Sequence, residues 1–183
     1  MELLIDKLLR QRPATRSISP EPLGEEQILA LGEAARLAPS CYNKQPWRFL
    51  FLESAEAREK GARVLSSGNR TWASLAPLLV IGYCQEKNDC VLPGRSYYQF
   101  DLGLSVMNMI LAATEMGLVA RPMAGFDPGQ AKSTFDLEED DEPLVILAIG
   151  KPSESEDHLP DHYKGLSGKP RERKVISEIV RRT

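Results

Sequence analysis

Histidine occurs only twice and cysteine three times in this sequence, and neither is arranged to hold a metal. Cys41, Cys84 and Cys90 are an odd set without metal-type spacing. His158 and His162 stand at i and i+4, but Pro160 lies between them in a polar stretch, so no metal site is expected. No apolar run approaches the ~20 residues of a membrane span, and the longest, APLLVIGYC, has the length of a buried strand. Neither sign of charge is in excess: 23 basic and 26 acidic residues leave a net charge of −3, which argues against nucleic acid or an anionic membrane as the main partner. There is no G-x-G-x-x-G after a strand and no G-x-x-x-x-G-K-[ST], so neither a Rossmann nicotinamide site nor a P-loop is supported. The opening MELLIDKLL is charged within its first turns, unlike a secretory signal, so a cytoplasmic location is expected, and with it reduced thiols and no disulfide.

What is present fits one domain spanning residues 1–183, long enough to bury about 70% of the unfolded surface. A helix is expected over Glu2–Arg10 and ended by Pro13. A second runs from Glu25 along Ile28, Leu31, Ala35 and Ala38 to the stop at Pro39. The strand RFLFLE follows, and Ser54 caps a charged helix, AEAREKGARVL. APLLVIGYC is a strand, Asn88–Arg95 a loop, and Tyr97–Met116 a long helix closed by Gly117. Apolar residues occupy nearly all faces of that helix, which predicts burial on every side. GLVARPMAGF leads to a short helix over Gln130–Phe135, and PLVILAIG is the last core strand. The tail from Lys151 is polar and rich in Pro and Gly, too poor in apolar residues to pack alone until VISEIV. By alternation alone, strands and helices suggest a parallel α/β sheet.

The most informative stretch is LAPSCYNKQPWRF, Leu37 to Phe49, where an apolar helix ends in a rigid polar loop anchored by Pro46 and Trp47. This segment resembles the APSxxNxQPWRF motif of the nitroreductase family of FMN-dependent flavoproteins. RPATRSISPEPL, GNRTWASLAPLLVIGY, DLGLSVMNMILAATEMGL, PMAGFDP and EPLVILAIGKPSE follow the order of further family elements, so nearly the whole chain takes part. The resemblance implies an α+β fold with a mixed central sheet flanked by helices, in an intertwined homodimer whose tails, residues 151–183, pack on the partner subunit.

It also implies a composite FMN site. Arg12 matches a phosphate-binding position, and Arg171 and Arg173 match a basic pair near the C-terminus; guanidinium forks suit phosphate oxygens. Arg16 matches a basic position beside the flavin pyrimidine, where a cation raises the flavin potential. Asn69 matches an amide on the pyrimidine edge. In the stretch Pro122, Met123, Ala124, Gly125 the family places a backbone N–H near flavin N5, and the match puts Ala124 and Gly125 there, an approach that glycine permits. Pro39, Ser40 and Cys41 would cover the ring from the other subunit, Cys41 as a small neutral side chain and not a nucleophile. Asn43 and Gln45 are shared with the family pattern, where they touch flavin or brace the loop.

Pro13 and Ala14 depart from the family pattern, which has a basic residue and then serine there. Loss of a charged hydrogen bond costs about 1.5 to 3 kcal/mol, so FMN is expected to be held less tightly, offset in part by the preset loop at Pro13. No catalytic acid or base is required. The implied activity is transfer of hydride from NADH or NADPH through flavin N5 to a nitroaromatic, quinone or similar small acceptor, with a partner only in a second copy of the chain. Two alternatives stay open: a specialised flavin enzyme of the same fold, such as a dehalogenase or a flavin-fragmenting enzyme, and a non-catalytic flavin or small-ligand binding protein.

Overall fold

The computed structural model describes residues 5–167 and 172–183. Its core is a four-stranded sheet in the order β1-β2-β4-β3, made of β1 (Trp47–Leu52), β2 (Leu78–Cys84), β3 (Val119–Met123) and β4 (Glu142–Gly150). The helices are α1 (Asp6–Gln11), α2 (Glu25–Arg36), α3 (Ala55–Val64), α4 (Ser67–Ala73), α5 (Tyr98–Glu115), α6 (Pro128–Thr134) and α7 (Ile176–Ile179). The α+β architecture is the one the resemblance implies. Within the single chain, however, every pairing is antiparallel among the described residues, neither parallel nor mixed.

Burial explains why the strands read like those of a parallel α/β protein. On one face of the sheet, Leu78 and Val80 of β2 and Leu147 and Ile149 of β4 meet Leu31 and Ala35 of α2 and Leu102, Val106 and Met109 of α5. On the other, Leu79, Ile81, Ile146 and Ala148 meet Val64, Trp72, Ala131 and Ile18. Alternate residues therefore point to opposite cores, and both must be apolar. An unbroken apolar run reports burial on two faces and carries no information about strand direction.

Local chemistry sets the helix ends. The Ser54 hydroxyl accepts from the Ala57 N–H at 3.1 Å, and Asp127 does the same for Gln130 at 2.9 Å. α5 stops where Gly117 takes φ +71°, a conformation that costs glycine little, and Leu118 N–H closes back on Ala113. Burial of α5 is one-sided in the single chain, since Phe100 stays 60% exposed. Its buried polar groups are matched: the Ser105 hydroxyl donates to Ala35 O and the Asp101 carboxylate accepts from the Cys41 N–H. Three elements escaped the sequence reading, α4, β3 and the short α7. The tail ends in α7, with Val175, Ile176 and Ile179 exposed. No helix among the described residues is long and apolar enough to cross a membrane.

The expectation of reduced thiols is corrected. Cys41 and Cys90 form a disulfide, with Cα atoms 5.7 Å apart and a sequence separation of 49. The loop after α2 and the loop after β2 converge at the start of α5, a tertiary encounter that residue spacing does not encode. Cys84 remains a free thiol, buried in β2, and burial, followed by Glu142 and other nearby carboxylates, pushes its pKa up to about 12. Under denaturing, non-reducing conditions a thiol-alkylating reagent should therefore label only Cys84, and peptide mapping should recover a Cys41–Cys90 cross-link. In the chain-entropy description, reduction should lower stability by up to about 4 kcal/mol. Labelling of all three cysteines without a reductant would overturn the pairing.

Candidate functional site

Segment 12–19 is the first wall of the site. Arg12 ends α1, and the chain then runs extended beside the exit of β4, where Ser19 N–H bonds Lys151 O at 2.8 Å and Ser153 N–H bonds Ser17 O at 3.0 Å. Ile18 faces Pro152 in this short pairing and is buried in the core, which fixes the side-chain alternation around it. Arg16 lies with its guanidinium carbon 4.2 Å from the centre of the Tyr163 ring, a cation–π contact. Its Nε is buried and has no hydrogen-bond partner among the described residues.

The second wall is α4 with the loop after β3. Asn69 is a helical residue in α4, not the turn residue that its neighbour Gly68 suggests. Its Nδ2 donates to Gly125 O at 3.0 Å, and Ser66 N–H donates to the same carbonyl at 2.9 Å. A Cβ on Gly125 would stand 2.7 Å from both Asn69 Nδ2 and Ser66 Oγ, so glycine is needed for this approach. Among the described residues nothing accepts a hydrogen bond from the Gly125 N–H. Pro122 and Ala124 are exposed, whereas Met123 turns into the core with Trp72 and Ile146 and presents no side chain to a ligand.

Arg121 was missed by the sequence reading. It donates from Nη1 to Ala14 O and lies 5.6 Å over the Trp72 ring. Burial first, then the positive charges of Arg16 and Arg12, hold its pKa below the usual arginine value. Neither Arg16 nor Arg121 makes an ion pair among the described residues. The available signal was a charged residue inside an otherwise apolar stretch, VARPM.

The structure therefore gathers Arg12, Ala14, Arg16, Asn69 and Gly125 on one side of the sheet and leaves Pro39, Ser40, Cys41 and Asn43 on the other, beside α5. There Pro39, Ser40 and Cys41 line an apolar depression of about 250 Å³ with Tyr97, Phe100 and Leu104. Asn43 braces the loop: its carbonyl and side-chain oxygens both accept from Gln45 Nε2 at 3.1 Å. Tyr42, Asn43 and Gln45 all have positive φ, a conformation that non-glycine residues hold only when their surroundings fix it. Arg173 is exposed and, among the described residues, bonds only its neighbour's carbonyl, and Arg171 lies outside the described residues.

The chemistry of the basic side is a surplus of donors. Guanidinium groups, and the Arg16 Nε–H, Gly125 N–H and buried Trp72 Nε1–H, which have no acceptor among the described residues, suit a ligand rich in oxygen acceptors and negative charge. Phosphate and pyrimidine carbonyl oxygens meet that demand.

The nitroreductase family model matches residues 9–76 and 76–151. A protein of Streptomyces griseus named "Putative NADH dehydrogenase/NAD(P)H nitroreductase" is 27% identical over 168 residues, covering 81% of this chain and 85% of that one. A protein of the same name from Stutzerimonas stutzeri is 33% identical over 150 residues, covering 71% and 76%. A crystal structure described as a putative nitroreductase in complex with FMN, from Exiguobacterium sibiricum, superposes with a TM-score of 0.80 at 21% identity and covers 100% of this chain and 99% of that one. Matched through both halves of its sequence and through its fold, the chain belongs to the nitroreductase family.

Proposed function

We propose that this protein is an FMN-dependent oxidoreductase, passing a hydride from NADH or NADPH through flavin N5 to a nitroaromatic, quinone or similar acceptor. The observation that carries the reading is the buried Arg16 Nε, which has no hydrogen-bond partner among the described residues, set against a glycine that alone fits between Asn69 and Ser66. The names of the relatives support the nicotinamide donor, and the FMN-bound crystal structure supports the cofactor.

Bound FMN supplies a reversible two-electron carrier. The protein's share is position and charge. Arg12 holds the phosphate, and Arg171 and Arg173 join it from the tail. Asn69 spends its Nδ2 on Gly125 O, which leaves Oδ1 to accept from the imide N–H of the ring. With FMN bound, the Gly125 N–H would be left for the reacting edge, and Arg16 would stabilise negative charge at the pyrimidine. Pro39, Ser40 and Cys41 lie on the far side of the sheet, so they reach the ring only from a second copy, and the working unit is a homodimer. The exposed Val175, Ile176 and Ile179 of the tail, and exposed Leu29, Leu37 and Phe100, supply apolar surface for that contact. On this reading residues 1–183 act as one flavin-binding domain whose tail wraps its twin.

The purified protein should show a visible flavin spectrum that NADH or NADPH bleaches under anaerobic conditions, and that a quinone or nitroaromatic then restores. A flavin-bound chain that neither nucleotide bleaches would sink the oxidoreductase reading. A unit charge about 4 Å away at an effective dielectric near 20 contributes on the order of 4 kcal/mol. Arg16→Ala should accordingly lower the two-electron potential of bound flavin by tens of millivolts, roughly 30 to 90, in a spectroscopic redox titration. Gly125→Ala should displace the Asn69 amide and raise the FMN dissociation constant up to roughly tenfold while the chain stays folded. An unchanged constant would remove Asn69 and Gly125 from the site.

A further inference from the structure

Arg121 stands midway along β3, between buried Ala120 and exposed Pro122, and reaches back to the segment that carries Arg12 and Arg16. Two contacts fix its guanidinium: the Ala14 carbonyl accepts from Nη1, and the Trp72 ring lies under the guanidinium carbon at 5.6 Å. A guanidinium carries five N–H donors in a rigid fork, and the hydrogen bond to Ala14 uses only one nitrogen. Neither Arg121 nor Arg16 has a carboxylate partner among the described residues, and both feel the same cluster of like charge. Half-buried cations gathered in this way are unfavourable until an anion joins them.

Position decides which anion group they await. The charges collect around the Arg12–Arg16 segment, while the neutral amides of Asn69 and Gly125 occupy the neighbouring stretch. A dianionic phosphate belongs with the charges, and an uncharged ring edge with the amides. Ala14 sits between Arg12 and Arg16 and has no hydroxyl to offer, yet its own carbonyl is what anchors Arg121.

We propose that Arg121 is a phosphate-binding residue of the flavin site, held by the Ala14 carbonyl and the Trp72 ring so that it supplies the donors that the Ala14 side chain cannot. The inference rests on the flavin reading above and deepens it, because that reading gives the phosphate to Arg12, Arg171 and Arg173 alone. It also alters an expectation: the chain holds FMN more firmly than Pro13 and Ala14 by themselves imply.

The test compares FMN with riboflavin, which has the same ring and no phosphate, binding to the full-length chain freed of flavin. Arg121→Gln removes the charge and keeps a donor for the Ala14 carbonyl. It should weaken FMN roughly 10- to 100-fold, leave riboflavin within about twofold, and flatten the salt dependence of FMN binding. Retained riboflavin affinity shows at the same time that the variant is folded. Arg121→Lys, which restores the charge without the fork, should recover part of the loss. Equal FMN affinity in wild type and Arg121→Gln, or equal losses for FMN and riboflavin, would overturn the assignment to phosphate while the flavin reading stands. A wild-type chain that binds neither compound would end both.

Discussion

Ile18 lies against Gly150 at the end of β4, and the position of the candidate site follows from that contact. A Cβ on Gly150 would come within 2.6 Å of Ile18 Cγ2 and 2.7 Å of Pro77 Cδ, so only glycine lets the N-terminal segment seat on the sheet. The backbone bonds from Ser17 and Ser19 to Lys151 and Ser153 then set its register, and Arg16 and Ala14 fall where α4 and β3 can meet them. Burial of Ile18 contributes about 1.5 to 3 kcal/mol to folding, and the same burial orients the charges two and six residues upstream. Stability and binding geometry share one anchor.

The arginines illustrate how a binding surface differs from a structural one. The exposed helix pairs, Arg10 with Asp6 and Arg63 with Glu59, are ordinary i, i+4 bridges on solvated helix faces. Arg16 and Arg121 are held by rings and a carbonyl, with their charge left unneutralised by carboxylates among the described residues. The first arrangement is complete without a ligand. The second leaves donors over, and donors left over in a half-buried place are what recognition of an anion requires.

Much of this was legible in the sequence, for reasons that also explain the gaps. The helix stops at Pro39 and Gly117 and the cap at Ser54 are local chemistry, and the structure keeps them. β3 was hidden because Pro122 and Arg121 interrupt its apolar run, which is tolerable only on an outer strand. α4 was hidden because Ser67, Gly68 and Asn69 have turn chemistry, and burial of Trp72 and Ala73 overrides it. The Cys41–Cys90 bond joins loops far apart in sequence, and the reduced state had been inferred from compartment and not from geometry. At the site, the family motifs pointed to Arg12, Arg16, Asn69 and Gly125 as candidates. They were silent on Arg121, whose proposed role depends on a contact with residue 14 across the fold.

The two margins of the sheet are unequal, and this limits how chains can accumulate. Pro122 carries no N–H, so the free side of β3 lacks a complete row of donors, while β1 on the opposite margin has no proline within it. End-to-end stacking of sheets into a filament needs β1 of each molecule to dock on β3 of the next. With that margin blunted, growth of such a filament through β3 is disfavoured.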